Sequence, residues 1–228
     1  MGSLARASSR LRTRPSRICV LASGGVESAA LLSWALRRER EVYPVYVACG
    51  FRWERAELHW LTRLLRRLRR PVLRPLTRLR LDITDCYDRS HWSLSGRAVP
   101  GSRSPDAAVH LPGRNILLLS RAAVFCAVRG IGRIAMGPLR ANPFPDAGPA
   151  FLRGMARTLS AGLRRPIRIL APFARRKKDE VLESVRGVPW ELTFSCLSPV
   201  GKSHCGRCNK CAERGRAFAA AGIADRTS

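Results

Sequence analysis

Two stretches of this sequence contain residues whose types and spacing could do chemistry. The first is the run Ser23-Gly24-Gly25-Val26-Glu27-Ser28, which follows an apolar segment and precedes a helical apolar pattern. The first N–H groups of a helix have no intrahelical partner, and the helix dipole places partial positive charge at that end. The two glycines let the backbone approach an anion, and the two serines offer hydroxyl donors. This pattern predicts a phosphate-binding turn.

The turn differs from the two commonest nucleotide-binding loops. It has no lysine in a G-K-[ST] arrangement, and it lacks the third glycine of G-x-G-x-x-G. The missing lysine argues against ordinary transfer of a γ-phosphoryl group. For this stretch taken alone, a strand-to-helix connection that binds nothing is the alternative interpretation.

The second stretch lies near the C-terminus and holds four of the eight cysteines. Cys205, Cys208 and Cys211 form a C-x2-C-x2-C pattern, and eight residues separate Cys196 from Cys205. Four thiolates can close a tetrahedral shell around zinc, so the pattern predicts a structural zinc site, with a redox-active dithiol and an iron–sulfur cluster as alternatives. His204 is expected to flank this site. The other cysteines, expected to lie apart as ordinary small residues, are Cys19, Cys49, Cys86 and Cys126.

Apolar periodicity indicates the elements that must position these two stretches. Strands are predicted over 18–22, 42–48, 72–83, 131–137 and 167–170, and helices over 29–36, 54–69, 114–128, 150–163 and 177–186. Alternation of this kind predicts an α/β fold in which a mostly parallel sheet has helices on both faces. Ligands of such sheets bind outside the carboxyl ends of the strands, where the Ser23–Ser28 turn is expected to lie. The segment 84–112 is predicted to be a long functional or disordered loop.

Composition and charge bound the domain organisation and the partners. Residues 1–16 have no apolar period and are predicted to be a disordered basic arm, followed by an α/β domain over 17–190 and a four-cysteine module over 191–228. No apolar run is long enough for a membrane span or a secretory signal, so a cytoplasmic protein without a membrane partner is expected. The net charge is +26, with local density from Arg63 to Arg80, which predicts weak, nonspecific association with nucleic acid.

Five motifs in the same order resemble those of one enzyme family. They are the S-G-G-x-E-S run at 23–28, P-G-R-N at 112–115, F-P-D at 144–146, Pro172 with Lys178 and Glu180, and the cysteine signature that runs from 195 to 227. Together they resemble the 7-cyano-7-deazaguanine synthases, which belong to the PP-loop ATP pyrophosphatases. Three departures stand out: Glu27 replaces an aspartate, Ala147 replaces a cysteine, and the 137–146 loop has no carboxylate before Asp146.

The resemblance implies a Rossmann-like PP-loop (HUP) fold and an ATP-dependent ligase. The implied reaction converts 7-carboxy-7-deazaguanine and ammonia to the nitrile through adenylated intermediates, with release of AMP and pyrophosphate, in queuosine or other 7-deazapurine biosynthesis. Mg²⁺ would accompany ATP, Zn²⁺ would occupy the site of Cys196, Cys205, Cys208 and Cys211, and the protein would be a homodimer. Catalytic roles are implied for Ser23, Glu27, Ser28, Arg114 and Lys178. Nucleotide binding is implied for Leu21, Ala22, Ser23, Gly24, Gly25, Val26, Glu27, Ser28, Ala29, Ala30 and Leu31.

Two alternative functions follow from the departures. A relative of the family could adenylate a different carboxylate, either on another deazaguanine or on a macromolecule. A zinc-containing protein that has lost catalysis could instead bind nucleic acid through its basic surface.

Overall fold

The structure is a computed structural model that describes residues 16–226. The predicted basic arm therefore lies outside the described residues except for its last position, and so does the final motif position, Thr227. Within the described range, no helix is long and apolar enough to cross a membrane.

A parallel sheet of five strands forms the centre of the fold, in the order β3-β2-β1-β4-β5. The strands are β1 (Arg17–Leu21), β2 (Glu41–Ala48), β3 (Thr77–Arg80), β4 (Arg133–Ala135) and β5 (Arg168–Leu170). In β1, Ile18, Cys19 and Val20 are fully buried. A strand with helices on both of its faces needs apolar residues at successive positions, which explains this continuous run.

Seven helices surround the sheet in the described part of the chain, together with short 3₁₀ turns. They are α1 (Val26–Leu36), α2 (Glu54–Arg67), α3 (Trp92–Ser95), α4 (Arg114–Arg129), α5 (Pro149–Leu163), α6 (Lys178–Ser184) and α7 (Asn209–Ala220). One apolar core contains residues of α1, α2 and α6, and a second contains residues of α4 and α5. Helices therefore cover both faces of a parallel sheet, and the predicted fold class is confirmed.

The prediction of one long strand over 72–83 was wrong. Only Thr77–Arg80 forms a strand, and before it a single bridge joins Leu73 to Val42. Pro71 and Pro75 lack the N–H group that a ladder requires, and an edge strand tolerates such interruptions.

The predicted loop over 84–112 contains short helical structure. It forms the turn α3 and a 3₁₀ turn over Asp106–Val109, and it buries Val109 and Leu111. The sequence pattern also missed α7, because its residues were interpreted only as part of the cysteine signature. Both segments contribute residues to the candidate site at the carboxyl ends of the strands.

The order of the strands places the candidate site beside the central strand, β1. Strand β1 pairs with β2 on one side and with β4 on the other, so the strand order reverses beside β1. In open α/β sheets a crevice forms at such a reversal, outside the carboxyl ends of the strands. The turn after β1 and the loop that begins at Gly137 after β4 meet there, since a Cβ on Gly137 would lie 3.0 Å from Glu27 Cβ.

Candidate active site and metal centre

The turn between β1 and α1 is held by its own hydroxyl and backbone groups. Gly24 has a φ of +87°, and its N–H donates to Ser28 Oγ at 2.9 Å. The Ser28 hydroxyl in turn donates to the Gly25 carbonyl at 3.2 Å, so it braces the turn. The first intrahelical bond runs from Ala29 N–H to the Gly25 carbonyl, which leaves the preceding N–H groups of α1 available to an anion.

A cavity of about 600 Å³ opens above this turn and brings the predicted catalytic residues together. Its lining includes Ser23, Glu27, Ser28, Arg114 and Lys178. These residues come from three separate stretches of sequence, which the fold places around one space. Sequence reasoning therefore selected residues that share a cavity.

The predicted nucleotide-binding run divides into cavity-lining and core residues. Five of its members besides Glu27 line the cavity, namely Leu21, Ala22, Ser23, Gly25 and Ser28. Four others have fully buried side chains that belong to the core, namely Val26, Ala29, Ala30 and Leu31. The side chains of these four can support the turn but cannot reach a ligand in the cavity.

Lys178 lies between two carboxylates at the start of α6. Its Nζ is 2.8 Å from Glu27 Oε1 and 2.5 Å from Glu213 Oε1, and Glu213 Oε2 also contacts Lys210 Nζ at 2.6 Å. Burial lowers the pKa of Lys178, but the two carboxylates outweigh it and the net shift is upward. Burial raises the pKa of Glu213, yet Lys178 and Lys210 lower it to about 2. The two carboxylates therefore favour the charged form of Lys178 beside the turn.

Two of the predicted motifs contact each other at the start of α4. Asp146 is buried and accepts hydrogen bonds from the Asn115 backbone N–H and the Asn115 side-chain amide, both at 3.0 Å. This carboxylate satisfies an N–H group at the helix start and holds the adjacent Arg114 in place. The Arg114 guanidinium lies 5.7 Å from the centre of the Phe51 ring, and its Nε is buried without a hydrogen-bond partner among the described residues.

The cysteine segment forms one wall of the same cavity. The Phe194 N–H donates to the Gly24 carbonyl at 2.8 Å, which ties the segment to the turn. Ser195, Cys196 and Leu197 also line the cavity, as do Lys210 and Glu213 of α7.

The four predicted metal ligands converge. The sulfur atoms of Cys196, Cys205, Cys208 and Cys211 all lie within 4.8 Å of one another, and those of Cys208 and Cys211 are 3.5 Å apart. Sulfurs bound tetrahedrally at the usual Zn–S length would be separated by about 3.8 Å, so the set fits a metal ion. Backbone N–H groups of Leu197 and Cys205 point at two of the sulfurs, at 3.4 and 3.3 Å, and favour thiolates.

His204 stands beside this set, as predicted. Its Nε2 accepts a hydrogen bond from the Ser195 N–H at 2.9 Å, so it supports the backbone of the cysteine segment. The other four cysteines do not all lie apart, and that expectation was wrong for one pair. Cys19 in β1 and Cys126 in α4 contact each other, and a hydrogen bond in which the Cys19 thiol donates to Cys126, together with burial, raises the pKa of Cys19.

Several cavity residues were not predicted from the sequence. Of these, Glu57 could have been found from its place in the apolar pattern of α2. Glu57 occupies the apolar stripe of α2 at helical spacing from Trp60, Leu61 and Leu64, all of which are buried. A carboxylate in an apolar stripe needs a partner or a function. Tyr46, His110 and Glu213 also line the cavity or its rim and showed no such signal.

Comparison with known proteins agrees with this arrangement. The family model "Queuosine biosynthesis protein QueC" matches residues 17–222. The 7-cyano-7-deazaguanine synthase of Anaeromyxobacter dehalogenans is 32% identical and covers 98% of both chains. The 7-cyano-7-deazaguanine synthase 1 of Desulfitobacterium hafniense is 30% identical over 89% of this chain and 91% of that protein.

Among solved structures, the U34-tRNA thiolase NcsA from Methanococcus maripaludis, with its [4Fe-4S] cluster, has a similar fold. It aligns with a TM-score of 0.50 and 10% identity, over 90% of this chain and 64% of that one. At this identity the likeness concerns the fold alone. The family match spans the turn, the Arg114 and Lys178 motifs and the four cysteines, and it confirms the resemblance predicted from them; the chain belongs to the QueC family of queuosine biosynthesis proteins.

Proposed function

We propose that this chain converts 7-carboxy-7-deazaguanine and ammonia to 7-cyano-7-deazaguanine, with ATP cleaved to AMP and pyrophosphate. The observation that carries the proposal is the shared cavity, in which a phosphate-binding turn, Arg114 and Lys178 surround one space in a member of this family. A carboxylate is a poor electrophile, and transfer of AMP to one of its oxygens supplies a leaving group. Such a reaction depends on positioning and on stabilisation of phosphate charge.

The chain's own residues divide this work. The free N–H groups at the start of α1 and the hydroxyl of Ser23 bind phosphate oxygens, and Gly25 leaves room for them. Arg114 and Lys178 face the same space and offset negative charge as pyrophosphate departs. Mg²⁺ bound with the nucleotide would neutralise part of its phosphate charge.

Two rounds of the chemistry account for all atoms. In the first, the acid oxygen attacks the α-phosphorus and pyrophosphate leaves; ammonia then displaces AMP and loses one proton to form the amide. In the second, the amide oxygen is adenylated in the same way, and loss of AMP and of both amide N–H protons leaves the nitrile. Both oxygens of the original carboxylate depart on AMP, and two molecules of ATP are consumed.

The four cysteines have a structural role in this proposal. They would hold Zn²⁺ with all four positions filled, which leaves none for substrate. A metal held by these four thiolates would stabilise the segment that carries Phe194 and Cys196, and hence one wall of the cavity. Iron bound with sulfide at this place is the competing assignment.

An oxygen-labelling experiment tests the proposal. The protein is incubated with ATP, ammonia and 7-carboxy-7-deazaguanine that carries ¹⁸O in its carboxylate, and the products are analysed by mass spectrometry. We expect the nitrile, pyrophosphate, and label in AMP. Label in inorganic phosphate with ADP as the product would contradict adenylation. Pyrophosphate release with another acid, but none with this one, would favour the relative that adenylates a different carboxylate.

A further inference from the structure

The cavity contains an acidic side chain that the reaction described above does not use. Glu57 lies in the first turn of α2 and lines the cavity. The hydroxyl of the buried Tyr46 donates to Glu57 Oε2 at 2.8 Å. No hydrogen bond from residues 16–226 reaches the other oxygen, Oε1. The carboxylate therefore has acceptor capacity that the described chain does not fill.

Two further cavity residues have polar atoms without partners. The Nε2 atom of His110 and the Nε atom of Arg114 are buried, and neither has a hydrogen-bond partner in the described range. Buried polar groups are nearly always hydrogen-bonded in folded proteins. Glu57, His110 and Arg114 thus line one cavity, and each has a polar atom to which the described residues offer no hydrogen bond, which indicates a polar ligand in the cavity.

Several aromatic side chains also line the cavity. The His110 ring stacks on Phe144 with centres 5.1 Å apart and an angle of 22°, and both residues line the cavity. Trp53 and Trp92 also line it and stack at 5.7 Å and 19°. Faces of this kind favour a planar ring over an aliphatic chain, because stacking needs a flat partner.

The Glu57 carboxylate can distinguish planar rings by the hydrogen-bond donors on their edges. The ring edge of a guanine-type base presents two adjacent N–H donors, which a carboxylate can accept together. The matching edge of an adenine-type base presents one donor beside an acceptor nitrogen, which a carboxylate repels. A second carboxylic acid pointed at Glu57 would also be repelled.

We propose that Glu57 determines substrate specificity by accepting the paired N–H donors of a guanine-type ring, while the His110–Phe144 stack provides a flat surface for that ring. This inference rests on the proposed function, which identifies the substrate as a deazaguanine ring that carries the reacting carboxylate. We assign Glu57 to the deazaguanine substrate and not to the adenine of ATP. The corresponding edge of adenine has one N–H donor beside an acceptor nitrogen, and that nitrogen does not fit against a carboxylate.

The electrostatics of Glu57 supply an independent readout. Burial raises its pKa to about 7, while Arg114 and the Tyr46 hydroxyl act in the opposite direction and Glu54 adds to the rise. N–H donors from a ligand would stabilise the ionised form and lower this pKa. Binding at neutral pH should therefore release a proton, which titration in buffers of different ionisation enthalpy detects.

The test is equilibrium titration calorimetry with 7-cyano-7-deazaguanine, a neutral ligand that needs no ATP. For Glu57→Gln we expect Kd to rise about 10- to 100-fold, the usual effect of a lost hydrogen bond to a charged group, and proton release to disappear. Glu54→Gln, at the first residue of α2, is the matched control; Glu54 accepts the Cys49 N–H at 2.6 Å and does not line the cavity, so its loss should change Kd far less than Glu57→Gln does.

A second ligand tests the donor pattern. We expect the wild-type protein to bind 7-cyano-7-deazaguanine at least about 10-fold more tightly than 7-cyano-7-deazaadenine, and Glu57→Gln to narrow that ratio. An unchanged Kd in a folded Glu57→Gln variant, or no discrimination by the wild type, overturns the inference. If binding depends on Glu57 but no pyrophosphate is released, the proposed function alone is refuted. If pyrophosphate is released at the same rate by the wild type and by Glu57→Gln, the inference alone is refuted.

Discussion

The Nζ atom of Lys178 lies 2.8 Å from Oε1 of Glu27, so the first residue of α6 is ion-paired to the first turn of α1. Glu213 of α7 binds the same ammonium at 2.5 Å. Three helices that are distant in sequence therefore meet at one lysine beside the turn that we propose binds phosphate. Glu27, which departs from the family's aspartate, is part of this contact, and its longer side chain reaches the ammonium.

Removal of the ammonium should affect both stability and chemistry. In Lys178→Met the carboxylates of Glu27 and Glu213 lose their shared cation, which we expect to cost about 3 kcal/mol in the free energy of unfolding. Pyrophosphate release should fall at least about 100-fold, because a charge that stabilises departing phosphate is lost. Urea unfolding and a pyrophosphate assay measure the two effects. The double variant Lys178→Met/Glu213→Gln should recover stability but not activity; recovery of both would show that Lys178 acts only structurally.

The Gly25 position tests the phosphate-binding turn. A Cβ at Gly25 would lie 3.5 Å from Ser23 Oγ and from Glu27 Oε2, an ordinary contact, so the fold tolerates a side chain there. The branches of a valine would nevertheless occupy the space that phosphate oxygens need. We expect Gly25→Val to weaken ATP binding more than about 10-fold without loss of bound metal.

Gly162→Val is the matched control for this change. Gly162 lies on α5 with no atom within 4 Å of its added Cβ, so nucleotide affinity should be unchanged there. Calorimetric titration with ATP and metal analysis of the same samples make the comparison. Normal ATP affinity in Gly25→Val would place the nucleotide elsewhere.

The cysteine set should bind about one zinc ion per chain. Cys208→Ser is expected to lower the metal content and the melting temperature, because metal binding stabilises only the folded arrangement of ligands. Cys86→Ser, at an exposed cysteine outside the set, is the control and should change neither quantity. Elemental analysis and thermal unfolding give the result. Iron with acid-labile sulfide in the purified protein would refute the zinc assignment.

Glu57 should make stability depend on pH. Its pKa is raised to about 7 from an ordinary 4.5, mainly by burial, so ionisation opposes folding. The stability associated with this group is fully present below about pH 4.5 and is lost as the pH rises through about 7. Glu57→Gln should therefore gain about 1 to 3 kcal/mol relative to wild type at pH 8, and much less at pH 5. Equal differences at both pH values in urea unfolding would contradict the shift.

Nucleic acid should bind weakly through the exposed side of α2 and β3. A cleft there is lined by Arg55, Arg63, Arg66 and Arg78, and none of the four pairs with a carboxylate in the described part of the chain. We expect RNA affinity to fall as salt rises, and Arg63→Ala/Arg66→Ala to reduce the slope of that dependence by about 1 to 2. Filter binding across a salt series measures it. Tight, sequence-selective binding that resists salt would favour the nucleic-acid-binding alternative.

The sequence by itself determined the fold class, the turn after β1 and the set of four cysteines. Apolar runs at strand length alternate with helical periods, and this local information is enough to predict a parallel sheet with helices on both faces. The spacing of Cys205, Cys208 and Cys211 is short, so the backbone must bring these thiols together. The turn after β1 is equally local, since its glycines and serines are consecutive.

Only the tertiary structure decided which side chains share the cavity and how they are used. Glu57 and His110 are far apart in sequence. They line the same cavity because α2 and the 84–112 segment both pack near the carboxyl ends of the strands. Glu213 reaches Lys178 because α7 packs against α6. Ser28 shows the same limit at short range: its type suggested a phosphate ligand, whereas its hydrogen bonds to Gly24 and Gly25 close the turn. Long-range packing has no local sequence period, and that is the physical reason these roles required three-dimensional structure.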